Sequence, residues 1–125
     1  MTRQVSFSKI RNETMHEFRE KMNQAESTED VKKFYADTMQ SMLNKILGRD
    51  ESVRYEDVSL SPSSSDGYVV VETLRDRPLF KSAWGESDLS NIINDFTQIA
   101  LKKYVHLQKN PEKTRSKIHH VDGKR

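Results

Sequence analysis

Cysteine is absent from this 125-residue chain, and glycine, proline and long apolar runs are scarce. Without thiols the chain has no disulfide, no thiolate metal site and no cysteine nucleophile. Its 4 glycines are scattered along the sequence, which excludes a glycine-rich phosphate-binding loop. The longest run without a polar break, residues 68–71, is far shorter than the ~20 residues that span a bilayer. We therefore expect no membrane partner.

Apolar residues are also few, at 34% of the chain. Even with glycine added, the fraction stays below the roughly 45–50% that is usual in globular domains. A chain of 125 residues is still long enough to bury one core without a disulfide or a structural metal. We therefore expect one domain of modest stability, or a domain whose apolar surface is partly covered by a second subunit.

Charge is abundant and nearly balanced, with 21 basic and 19 acidic residues. Its distribution is uneven, because residues 102–125 carry eight basic and two acidic residues, against 13 and 17 in the rest of the chain. This asymmetry indicates a basic tail on a slightly acidic domain. We place the domain at residues 1–109 and the tail, which we expect to be disordered, at residues 110–125.

Three segments show the spacing of amphipathic helices, with apolar residues three or four apart. The first predicted helix covers residues 8–25. The second begins after Ser27, a residue type that caps helices, and ends at Gly48. The third begins at residue 87 or 88 and ends near residue 109, before a proline. The wide apolar stripe of the second helix predicts that it packs on more than one side.

The middle of the chain has the pattern of β-structure. Residues 53–60 alternate apolar and polar side chains with a change of parity midway, which indicates a bulge or a break. Residues 68–74 contain three consecutive valines and form the strongest predicted strand. Residues 79–84 follow Pro78 as a predicted edge strand. The predicted fold class is α+β, in the order α-α-β-β-β-α, with a three-stranded antiparallel meander and helices packed on one face.

Motifs for catalysis or metal binding occur only as fragments. His16 and Glu20 occupy two positions of a zinc-protease-like pattern, but the helical period places them opposite the apolar face, toward solvent. His119 and His120 are adjacent in the tail and lack further ligands held in place. We predict no metal, no cofactor and no catalytic residue, and an enzyme is the least favoured of the functions considered.

Two pairs of apolar residues lie beside the main apolar faces of their helices. Leu43 and Leu47 form one pair on the second helix, and Leu101 and Val105 form the other on the third. A spacing of four residues places each pair on one side of its helix. Either pair can form an exposed stripe for a second subunit, or pack beneath the tail or the first helix. All four residues are candidate partner contacts.

The basic tail is a second candidate surface. Cations on a mobile segment bind phosphates by releasing counterions, and that affinity falls steeply with salt. Charged tails also keep small proteins in solution without binding anything. The candidate polyanion contacts are Lys109, Lys113, Arg115, Lys117, Lys124 and Arg125.

These features favour a small non-enzymatic protein-binding or adaptor module that self-associates through its second and third helices. The alternative is a nucleic-acid-associated accessory protein that uses the basic tail. Residues 1–6 lack the apolar segment of a signal peptide, so we expect a cytoplasmic location. The predicted short edge strand with Pro78 and Lys81 indicates a protected sheet edge, which argues against strand addition as the binding mode.

Overall fold

The computed structural model describes residues 6–48 and 52–109. The chain there is mostly helical with a small two-stranded antiparallel sheet, an arrangement of the predicted α+β class. In chain order the elements are the helices α1 (Ser8–Gln24) and α2 (Thr28–Leu47), a 3-10 turn (Tyr55–Asp57), the strands β1 (Val58–Leu60) and β2 (Tyr68–Val70), and the helices α3 (Glu72–Arg75), α4 (Pro78–Glu86) and α5 (Leu89–Lys109).

Helix α2 has the two end signals that its sequence predicts. The hydroxyl of Ser27 accepts a hydrogen bond from the main-chain N–H of Asp30 at 3.1 Å, which satisfies one of the free donors of the first turn. At the other end Gly48 has a φ of 98°, a positive value that glycine adopts without strain, and its N–H donates to the carbonyl of Asn44. Both ends of this helix are therefore set by local chemistry.

The predicted third strand and the predicted order of elements are wrong. Residues 79–84 belong to α4, which begins at Pro78. Proline favours the first turn of a helix, because its fixed φ is helical and the N–H that it lacks has no partner there. The strand predicted over residues 68–74 also ends early, at Val70, and the chain turns into α3. The observed order is α-α-β-β-α-α-α.

The core lies among α1, α2 and α5, which pack against one another. The rings of Phe18 on α1 and Phe96 on α5 meet edge to face, with centroids 5.1 Å apart, and both side chains are fully buried. Aromatic pairs in this geometry contribute beyond the burial of their surface. An ion pair of 3.1 Å between Arg11 and Asp95 joins α1 and α5 at the surface.

Two hydroxyl groups lie together deep in this core, those of Tyr35 on α2 and Thr97 on α5. Their oxygen atoms are 2.7 Å apart, and the Thr97 hydroxyl donates to the carbonyl of Ile93 at 2.8 Å. Because the Thr97 proton is used in that second bond, Tyr35 is the donor in the first. Burial raises the pKa of the Tyr35 phenol far above its ordinary value of 10.0, so the neutral, donating form is the stable one.

The sheet is attached to α2 through β1. Val58 and Leu60 are buried against the helices, while Ser59 between them is exposed. Before β1, the N–H of Val53 donates to Oδ1 of Asn44 at 2.7 Å, and Nε2 of Gln40 donates to the carbonyl of Val53 at 3.1 Å. Two polar side chains of α2 therefore align the segment that enters the sheet.

The loop between the strands is anchored on α5. The N–H of Ser61 donates to the carbonyl of Gly67 at 2.8 Å, and Gly67 has a φ of 85°. A Cβ atom at position 67 would lie 2.7 Å from Cδ1 of Leu101 and 2.9 Å from Cγ2 of Thr97. Only glycine therefore permits this close approach of the hairpin to the helix.

Candidate functional site

A cleft of about 750 Å³ lies between the hairpin and α4. One wall is β2 with the preceding loop, the other is α4, and the segment around α3 joins them. Clefts of this size with a few polar groups among apolar ones are the usual form of a binding site. The lining residues are Ser64, Ser65, Asp66, Tyr68, Val69, Val70, Arg75, Asp76, Phe80, Lys81, Trp84 and Gly85.

The β2 wall presents an open strand edge. Val69 lies opposite Ser59 in the antiparallel ladder. The flanking bonds, from the N–H of Ser61 to Gly67 and from the N–H of Val71 to Asp57, belong to hydrogen-bonded pairs. Such pairs recur every second residue, so the main-chain N–H and C=O of Val69 point toward β1. The main-chain groups of the residues on either side of Val69 consequently point away from β1.

Those outward-pointing groups are the N–H and C=O of Tyr68 and Val70. Within residues 6–48 and 52–109, no hydrogen bond to any of them is found. A main-chain donor or acceptor next to an apolar surface loses free energy unless water or a ligand satisfies it. The edge of β2 therefore retains unused hydrogen-bonding capacity where it borders the cleft.

The α4 wall is aromatic. Phe80 and Trp84 are one helical turn apart, and their rings stack with centroids 5.5 Å apart and an interplanar angle of 22°. Phe80 is buried in the core, whereas Trp84 is half-buried and lines the cleft beside it. Phe80 thus anchors a ring stack whose outer member is accessible from the cleft.

Four charged side chains, two of each sign, surround the cleft. Asp66 lies at the hairpin end, Arg75 is the last residue of α3 and Asp76 follows it, and Lys81 lies on α4. None of them takes part in a salt bridge within the described part of the chain. Partial burial raises the pKa of Tyr68 above its ordinary value, and the negative charge of Asp66 adds to that rise. The cleft is therefore bordered by charges that are available to a ligand.

The predicted partner contacts are distributed between core and surface. Leu43 is fully buried and Leu47 is 9% exposed, so both belong to the core and not to an outer stripe of α2. Leu101 is half-buried and lies against Gly67. Val105 is 41% exposed. Only the α5 pair therefore reaches the surface.

The predicted polyanion contacts fall mainly outside the described residues. Lys109 is exposed at the end of α5. Lys113, Arg115, Lys117, Lys124 and Arg125 lie in residues 110–125, outside the described ranges, so the tail and its boundary remain predictions.

Side chains that can bind metal ions are dispersed over the described part of the chain. Among the side chains that the structure describes, no three His, Asp or Glu residues come together as a metal site. His16 and Glu20 lie 3.7 Å apart on α1 and are 79% and 66% exposed, which agrees with the predicted solvent-facing side of that helix. His119 and His120 lie outside the described residues.

The sequence does not predict the cleft, although the predicted strands over residues 68–74 and 79–84 include residues that line it. The available signal was the four-residue spacing of Phe80 and Trp84 after a proline, which indicates a short helix with an aromatic ridge. The juxtaposition of that ridge with the edge of β2 has no local signal, because it depends on how α4 packs against the rest of the core.

Comparison with protein-family models, with curated proteins and with solved structures found no match. Within the described ranges, no helix combines the length and the apolar character needed to cross a membrane. Any assignment of function therefore depends on the geometry of the cleft and of the exposed end of α5.

Proposed function

We propose that the protein is a binding or adaptor module that holds a segment of a partner protein in the cleft between β2 and α4. The observation that carries this proposal is the open edge of β2 facing an aromatic ridge across one cleft. Main-chain groups of a partner can use the edge, and its apolar side chains can cover the ridge. Neither wall alone has both properties.

The exposed apolar surface of the cleft supports the same function. Val69 is 44% exposed, and Trp84 is accessible beside it. Burying apolar surface contributes about 25 cal/mol per Å², so a partner that covers both side chains gains more than from either wall alone. Aromatic residues at the centre of an interface commonly contribute the largest share of its affinity.

Site-directed photo-crosslinking tests the proposal in the host cell. A benzophenone amino acid replaces Lys81 in the cleft or, as a control, Lys33 on the exposed side of α2. We expect a discrete crosslinked species from position 81 only, and its loss when Val69→Asp is introduced on the opposite wall. Equal crosslinking from both positions, or no product from position 81, contradicts the proposal.

Self-association through α5 is a second candidate, favoured by the exposed end of that helix. Val105 and the half-buried Leu101 lie on a shallow groove with Gln98 and Lys102. A second copy seated on this groove would cover the apolar pair. Sedimentation over a range of concentrations should show a dimer that Val105→Glu abolishes. A monomer at every concentration excludes this candidate and leaves the cleft untouched.

Nucleic-acid binding is favoured by the charge of the same helix end. Residues 102–109 contain three lysines and no acidic residue, and the basic composition continues through residues 110–125. Fluorescence anisotropy should compare the full chain with a version that ends at Asn110, on single- and double-stranded nucleic acid. This candidate requires an affinity that falls about tenfold or more between low and moderate salt and is lost on truncation. The absence of binding at low salt excludes it.

A further inference from the structure

We infer that the occupant of the cleft is an extended peptide segment that adds to β2 as a third strand. This inference rests on the proposed function and specifies the chemistry of the partner. A helical or globular surface can cover Trp84, but only another extended main chain supplies alternating donors and acceptors at the spacing of a strand. The edge of β2 therefore selects the conformation of its ligand.

The ladder fixes which groups of β2 are used. The N–H and C=O groups of Val69 already point toward Ser59 on β1, whereas those of Tyr68 and Val70 point toward the cleft. An added antiparallel strand would place one residue opposite Tyr68, one opposite Val69 and one opposite Val70. Only the first and third of these exchange hydrogen bonds with β2. The partner therefore binds through alternate residues.

The three-residue edge of β2 lacks three of the devices that normally prevent strand addition: a proline, a charged side chain and a bulge. Pro78 and Lys81, which the sequence suggests as protection for an edge strand, lie on α4 instead. Residues 68–70 contain neither proline nor a charged side chain, and β2 pairs with β1 without a bulge. Natural sheet edges are usually blunted by such features. Their absence from these described residues keeps the edge of β2 competent for pairing.

Charge complementarity specifies the ends of the segment. Asp66 lies next to the Tyr68 end of β2, together with the hydroxyls of Ser64 and Ser65. Near the Val70 end, Arg75 and Asp76 offset each other. The segment that fits best carries apolar residues at its centre, toward the aromatic ridge, and a lysine or arginine at the hairpin end beside Asp66.

Selection from a displayed library of short random linear peptides provides the probe. The full chain is the bait, and peptides that also bind the Val69→Asp variant are removed, because Val69 is exposed and its replacement leaves the core intact. Val69→Thr serves as the matched control with an unchanged shape. We expect selected peptides with a central apolar residue and a basic residue at one end. If no peptide is selected, the inference is wrong, while photo-crosslinking still decides the proposed function.

Two measurements on a selected peptide separate strand addition from other modes of binding. First, N-methylation along the peptide should lower affinity about tenfold or more at alternate residues and little between them. Second, amide hydrogen exchange should slow at Tyr68 and Val70 on binding, while Val69 changes little. Uniform tolerance of N-methylation, or a helical bound peptide, overturns strand addition and leaves the cleft as the site. Equal affinity of the peptide for the unmodified protein and for Val69→Asp overturns both strand addition and the cleft as the binding site.

The variant Asp66→Asn tests the charge assignment. It should reduce the affinity of a peptide with a basic end about two- to fivefold and leave a peptide with a neutral end unaffected. The reduction should shrink at high salt, because the carboxylate is exposed. An equal loss for both peptides contradicts the assignment of the basic residue to this end of the cleft.

Discussion

The layer of α1, α2 and α5 and the side formed by the hairpin and α4 differ in how far they close their surfaces. In the helical layer the side chains of Phe18, Tyr35 and Phe96 are fully buried, and the buried hydroxyl of Tyr35 has a partner. On the hairpin side, the described part of the chain has a sheet of two strands with an open edge, and the side chains of Val69 on β2 and Leu79 on α4 are exposed. The helical layer has the closed packing of a protein core, whereas the hairpin side has exposed groups of the kind that a partner covers in an interface.

This difference indicates a division between stability and binding. Two-stranded sheets are marginal by themselves and need a packed support. The support here is α2 and α5, which both contact β1, and α5 also lies against the hairpin at Gly67. A binding edge that is rigidly presented loses less entropy when it is occupied. The helical layer therefore supplies the free energy of folding, and the hairpin side supplies the surface that a partner can use.

The largest expected effect comes from opening the helical layer. Phe96→Ala removes a fully buried ring and its contact with Phe18, and we expect the free energy of unfolding to fall by about 3–5 kcal/mol. Leu79→Ala on α4 is the control, because its side chain is 50% exposed, and it should cost less than about 1 kcal/mol. Urea unfolding followed by circular dichroism measures both. Similar losses for the two variants would remove the distinction between the regions.

The second effect tests the point where the two regions meet. Gly67→Ala forces a side chain into a left-handed conformation and against Leu101, and we expect a loss of about 2 kcal/mol. Gly85→Ala is the matched change on α4, where nothing lies within 4 Å of the new Cβ. A helix favours alanine over glycine, so this variant should be unchanged or more stable by up to about 1 kcal/mol. If both variants unfold at the same urea concentration, the hairpin is not anchored at Gly67.

The third effect compares the two faces of the sheet with one substitution. Val58→Thr places a hydroxyl in the core beside β1, where Val58 is 1% exposed, and should cost about 1–3 kcal/mol. Val69→Thr makes the same change on the outer face and should alter stability by less than about 0.5 kcal/mol. Thermal unfolding of both variants checks the prediction. A large loss from Val69→Thr would mean that this face is packed and not available to a ligand.

The sequence predicts the helical layer better than it predicts the side formed by the hairpin and α4. The helical layer was predictable, because Ser27, Gly48 and the three apolar stripes are local signals. For residues 79–84 the local signals conflict, because Pro78 allows either a strand start or a helix start, and the burial of Phe80 in the core accompanies the helix. The burial of Leu43 equally depends on how α2 lies among its neighbours.

The cleft was beyond prediction for a related reason. Its two walls are separated in the chain by α3 and meet only through tertiary packing. The edge of β2 is open because residues 79–84 form part of α4 and not a third strand, and their pattern is too short to separate strand from helix. Propensity and periodicity therefore predict the helical layer well and the hairpin side poorly.

The smallest expected effect on stability compares a tyrosine of the helical layer, Tyr35, with a tyrosine of the cleft, Tyr68. Tyr35→Phe removes the buried donor to Thr97 and should cost about 1 kcal/mol near neutral pH. Tyr68→Phe in the cleft, where no hydrogen bond to the phenol is found in the described residues, should cost less. Chemical unfolding at neutral pH ranks the two variants. The reverse ranking would place the constrained hydroxyl on the open side of the molecule.

The alkaline limb of the same measurement separates the two sites further. Burial raises the pKa of folded Tyr35 far above the value of 10.0 expected for the unfolded chain, so its contribution is fully present below about pH 10 and is lost as pH rises beyond that. The loss amounts to about 1.4 kcal/mol for each further pH unit. Tyr35→Phe has no phenol to ionise at this position, so the difference between its free energy of unfolding and that of the unmodified protein should narrow above pH 10. Tyr68 is partly solvated and its pKa is raised less, so Tyr68→Phe should follow the unmodified protein closely. A deficit of Tyr35→Phe that stays constant with pH would show that this phenol ionises in the folded protein as readily as in water, and the helical layer would then not be closed around it.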